Sequence, residues 1–148
     1  MNVQIGLFSA TVMSVLLYGC ETWSVTVMME KRMNGAFTKL LRYASKIHWQ
    51  DRVTNAVVYR GFEFNNLAAQ VRKCRVRFAG HCLRATYQPV CHLVFKEPTS
   101  YVRGKGSTKT YTKTIIADVR QYIPNVELVD IIKMANNRIE WKNVVEQI

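Results

Sequence analysis

The residues of this chain best placed to do chemistry are cations between positions 72 and 113. Arg72, Lys73, Arg75, Arg77, His81 and Arg84 fall in one short stretch, and Arg103, Lys105, Lys109 and Lys113 form a second cluster downstream. A guanidinium or ammonium group holds a backbone phosphate by a charge-assisted hydrogen bond and releases its counterions. An array of such groups therefore binds a polyanion through its backbone, with little regard to sequence. Tyr101 precedes the second cluster by two positions and Tyr111 lies within it, where aromatic rings can stack on unpaired bases.

Other chemistries find no footing. The three aspartates, Asp51, Asp118 and Asp130, are isolated from one another, so no adjacent pair is present to bridge two metal ions. His81, Cys82, Cys91 and His92 are the residue types that zinc prefers, but each His–Cys pair is adjacent in sequence and lacks the two-to-four-residue gap of zinc fingers. Cys74 and Cys82 read instead as small apolar core residues. There is no Ser/His/Asp set with a nucleophile elbow, no P-loop and no dinucleotide fingerprint, so neither an enzyme nor a bound cofactor is expected.

Charge is unevenly distributed. The 148 residues carry a net charge of +11, but residues 31–113 alone hold 17 Lys or Arg against Asp51, Glu63 and Glu97, a balance of +14. A segment this basic attracts polyanions, with RNA or DNA backbone the first candidate partner. The 49% hydrophobic content is enough to build a core. Four cysteines without CxxC spacing suit a reducing compartment, so a nuclear or cytoplasmic and not a secreted location is expected. Residues 3–20 are uncharged, yet Gln4, Ser9, Thr11 and Ser14 interrupt them and no positive residues precede them. They read as a core helix and not as a membrane span or a signal peptide.

The elements that must position the cations read as helices throughout. Residues 3–18 have near-helical apolar spacing and end at Gly19; Ser24 or Thr26 can cap a helix running to about Ile47; Thr54 or Asn55 starts a short one ending at Gly61. Asn65 or Asn66 caps a helix of nearly twenty residues on which Leu67, Val71, Cys74, Phe78 and Cys82 form an apolar stripe. Lys73, Arg77 and Arg84 share a neighbouring arc that spans about 16 Å along the axis. Pro89 opposes continuation of that helix. Residues 97–114 read as an exposed basic loop, and 114–122 and 126–147 as short helices broken at Pro124 and near Asn136 and Asn137. Trp23, Trp49 and Trp141 are each expected to anchor a helix junction by burial, with Asp51 and Asn137 capping nearby. The fold class is all-α, divided into residues 1–95 and a smaller region, 96–148.

Four strings then point to a family. Leu16-Leu17-Tyr18-Gly19-Cys20-Glu21-Thr22-Trp23 resembles the LLYGxETW signature that follows the palm in non-LTR retrotransposon reverse transcriptases. Trp49-Gln50-Asp51-Arg52-Val53-Thr54-Asn55, Arg75 to Arg84 with its Gly80-His81-x-x-Arg84 pattern, and Asn137 to Lys142 follow in the family's order. The resemblance covers nearly the whole chain and is closest to the RTE-like clade. It implies a helical thumb and tail that contact nucleic acid without the polymerase active site, a piece of a longer element. The family's Gly-Arg-Pro string is replaced here by Gly106-Ser107-Thr108. A second class of reading is a helical protein-interaction or assembly domain, with self-association through residues 3–18.

Overall fold

The computed structural model describes residues 3–23, 25–62, 66–85, 87–88, 95 and 110–148. Among these the protein is all-α, without a strand, and divides into two compact units, Met1–Val71 and Arg72–Ile148. The expected division near residue 95 gives way to one inside a helix. That helix changes its packing partners along its length: Leu67 joins one apolar cluster, whereas Val76, Ala79 and Leu83 join another.

In the first unit, α1 is α-helical over Val3–Phe8, widens to a π-helix over Ser9–Met13 and closes over Ser14–Leu16. In and just after the widened segment, the hydroxyls of Thr11 and Ser14 donate to the carbonyls of Leu7 and Ala10, each at 2.7 Å. Gly19, at φ 65°, ends this run in the left-handed region that glycine tolerates. The helix buries Phe8 and Met13 and leaves Leu7, Val15 and Tyr18 exposed.

Helix α2 spans Val27–Ala44; Thr26 caps it by accepting from the Met29 amide at 3.3 Å. Its C-terminus is a Schellman turn, three residues short of the expected Ile47. The Ile47 amide donates to the Arg42 carbonyl and the Lys46 amide to that of Tyr43, with Lys46 at φ 54°. Helix α3, Asn55–Gly61, follows Thr54 as expected. Phe8, Phe37, Leu41, Val58 and Phe62 form the core, with the Phe8 ring centroid 5.5 Å from Phe62 and 6.1 Å from Phe37. Burying each such side chain contributes about 1.5–3 kcal/mol.

Helix α4, Leu67–Arg84, starts in the first unit and ends in the second. Asn66 caps it through the Ala69 amide at 2.8 Å, and the side chain of Asn34 accepts from the Ala68 amide at 3.1 Å. In the second unit α5 (Tyr111–Arg120), α6 (Leu128–Asn136) and α7 (Arg138–Gln147) surround a core of Val76, Ala79, Ile115, Val119, Ile131 and Trp141. Helix α5 begins earlier than expected because Thr110 caps it, accepting from the Lys113 amide at 3.3 Å. The turn after α5 contains Pro124 and Asn125 (φ 63°) and is closed by Arg120 donating to the Val126 carbonyl at 2.9 Å. Among the described residues no helix is long and apolar enough to cross a membrane.

Candidate nucleic-acid interface

The second unit contains a groove between the C-terminal half of α4 and α7, with a volume of about 500 Å³. Arg77, His81 and Arg84 come from α4; Arg138 and Lys142 come from α7; Trp141 and Val145 supply apolar wall. Among the described residues one acid, Glu146, reaches the groove and lies 3.6 Å from Lys142 across one helical turn, an exposed pair of the kind that contributes little.

Local sequence explains this geometry. Asn137 starts α7 by accepting from the amides of Ile139 and Glu140, at 3.1 and 3.4 Å. That start places Trp141 and Lys142 three and four residues after Arg138, and Val145 four and three after them, along one side of the helix. Trp141 is 3% exposed, and its indole N–H donates to the Val76 carbonyl of α4 at 3.2 Å. Gly80 makes the approach possible. A Cβ there would overlap the indole, with Cε2 at 2.7 Å and Nε1 and Cδ1 closer still.

The cations differ in what they can still do. Arg77, His81, Arg138 and Lys142 are exposed. Arg84 is half-buried and donates to the Ala135 carbonyl at 2.8 Å, filling one of the acceptors left open at the end of α6. Burial, and secondarily the charge of Arg138, hold the Arg84 guanidinium below the usual arginine range. Arg84 is thus partly a structural residue, and its proximity to Arg138 shows how closely the like charges gather.

The other expected site residues lie elsewhere. Arg75 is corrected outright: it is 3% exposed and forms an ion pair with Asp118 at 2.7 Å, so its charge serves the interior and is closed to a phosphate. Arg72 and Lys73 are half-buried on α4 and do not line the groove. Lys113 is exposed, but on the first turn of α5 and not in a loop. Arg103, Lys105 and Lys109 lie outside the described residues, as do Tyr101, Cys91 and His92.

The apolar stripe assigned to α4 is also rotated. Phe78 is 41% exposed and Cys74 half-buried, because the buried face centres on Arg75, Val76, Ala79 and Leu83. Small residues let α7 approach, and a reading weighted to large side chains passes over them. His81 is exposed while Cys82 is buried, so these neighbours point apart. Among the described residues no three metal-ligating side chains cluster.

Trp49 is the second correction: it is 84% exposed and anchors nothing by burial. Sequence reasoning missed Arg138 and Lys142 as partners of the α4 cations; the signal was Gly80, an unfavourable residue inside a helix that marks close approach of another element. Compared with models of known protein families, with curated proteins and with solved structures, the chain matches none.

Proposed function

We infer that this protein is a nucleic-acid-binding module that holds the phosphate backbone of RNA or DNA in the groove between α4 and α7. The observation that carries the reading is the gathering of Arg77, His81, Arg84, Arg138 and Lys142 around a single acid among the described residues. Like charges so placed repel, and a bound polyanion removes that repulsion while releasing counterions. Arg77, Arg138 and Lys142 would make the phosphate contacts, with Arg84 fixing the end of α6 beside them. The strings that resemble reverse-transcriptase thumbs, around Gly80 and around Trp141, supply both walls, and a thumb-like grip on nucleic acid is the role that this resemblance implies. With no paired aspartates in its sequence, the chain would bind without catalysing polymerisation.

The test is direct. Wild-type protein should bind unrelated duplexes and single strands with similar affinity, and log affinity should fall steeply and linearly with log salt. Affinity independent of salt would remove the reading. A protein-interaction role has its own support in the exposed Leu7, Val15, Tyr18, Val27 and Met28 of the first unit. It predicts self-association in place of polyanion binding.

A further inference from the structure

Trp49 and Tyr43 are, with Tyr18, the most exposed aromatic residues among the described residues of the first unit, at 84% and 87%. Neither owes its exposure to a loose tether. Tyr43 is in the last turn of α2, and Trp49 opens a short 3₁₀ turn, Trp49–Asp51, after the Schellman turn. The intervening segment is fastened repeatedly. Ile47 and Val53 sit against the apolar cluster; the Asp51 carboxylate accepts from the His48 amide at 2.7 Å; the Arg42 guanidinium donates to the Val53 carbonyl and, at 3.0 Å, to the Asn55 side chain. Lys46 and Arg52 hold the left-handed backbone conformations that turn the chain on either side. An indole is thus held out in water by a hydrogen-bonded frame, a costly placement for the largest apolar side chain.

The surroundings specify a ligand. On α2, Arg32, Ala36, Lys39 and Tyr43 recur at three-, four- and seven-residue steps on one exposed face, without an acid among them. Arg32 and Lys39 are separated by about 10 Å along the axis. Lys46 and Arg52, each three positions from Trp49 in sequence, are exposed, and Asp51 between them is engaged in the cap. Flat aromatic faces at the end of a cationic track match an unpaired polynucleotide, whose backbone is anionic and whose bases all present a stackable face. In a duplex the base faces are already covered.

We propose that the exposed face of α2 and the loop after it form a single-strand platform, distinct from the groove of the second unit: Arg32 and Lys39 track the backbone, and Tyr43 and Trp49 stack on bases. The fastened loop makes stacking pre-organised, so little ordering entropy is lost on binding. The proposal deepens the nucleic-acid reading and rests on it.

The experiment uses the full chain, a labelled thymidine homopolymer and a blunt duplex of equal length. Trp49→Ala should weaken homopolymer binding at least about fivefold and leave duplex binding within about twofold, while Trp49→Phe keeps most of the affinity. Homopolymer should quench indole fluorescence strongly in the wild type and much less in Trp49→Phe, which retains Trp23 and Trp141, a readout that does not depend on how the alanine variant folds. Unchanged homopolymer affinity and quenching in these variants, with salt-dependent binding intact, overturn the platform alone. Equal losses on homopolymer and duplex also overturn it. A change of oligomeric state in Trp49→Ala without loss of homopolymer affinity would assign the surface to a second copy and overturn it. If the wild type binds neither probe, this proposal falls together with the groove.

Discussion

Gly80 of α4 lies flat against the indole of Trp141 in α7, sixty-one positions later, with no room for a single added carbon. This contact sets the distance between the two walls of the cationic groove, because Arg77 and His81 flank Gly80 while Arg138 and Lys142 flank Trp141. Gly80→Ala should therefore destabilise the protein by about 1–3 kcal/mol, although alanine is the better helix former. Gly35→Ala is the control: Gly35 is an exposed glycine of α2 whose Cβ would meet nothing within 4 Å. It should stabilise by roughly 0.5–1 kcal/mol. Chemical denaturation of the two variants, with opposite signs expected, checks the claim.

The buried pair of Arg75 and Asp118 is expected to dominate the stability of the second unit among polar contacts. Asp118→Ala leaves a guanidinium buried without its carboxylate and should cost about 3–5 kcal/mol. Replacing both residues together, Arg75→Met with Asp118→Leu, should recover most of that loss. A double-mutant cycle in denaturant measures it.

Lys46 occupies the left-handed position of the Schellman turn that glycine normally fills. Lys46→Gly should raise stability by up to about 1 kcal/mol through relief of that backbone cost. Thermal denaturation would show a small upward shift in Tm.

Helix α1 leaves Leu7 and Val15 exposed while burying Phe8 and Met13. The protein should self-associate at high concentration, and Leu7→Gln combined with Val15→Gln should reduce that tendency without unfolding it. Sedimentation velocity over a concentration series would detect the change.

What could be read in advance follows from how local each signal is. Most helix starts were legible because capping is settled within four residues: Thr26, Asn66 and Asn137 each accept from an amide two or three positions on, whereas Thr110, the cap of α5, was passed over within a stretch that reads as a loop. The exact core face of α4 was not, because Ala79 and Gly80 are buried by a helix that the sequence places sixty positions away, and only tertiary packing tells that Arg75 turns inward to Asp118. Trp49 misled for a related reason. A tryptophan's size predicts burial, but the caps and Arg42 contacts that hold this one outward lie between residues whose individual identities are unremarkable for a loop. Half of the groove was visible as Arg77, His81 and Arg84; the half contributed by Arg138 and Lys142 required knowing which helix faces which.

The most direct test of the groove as a phosphate-binding site is the salt dependence of duplex binding in a protein carrying Arg77→Gln, Arg138→Gln and Lys142→Gln. These three side chains are exposed and Arg84, which holds the end of α6, is left in place, so the fold should persist. If each contacts one phosphate, the slope of log affinity against log salt should become shallower by roughly 2–3. A folded triple variant with the wild-type slope would contradict the account and show that these cations are merely solvated.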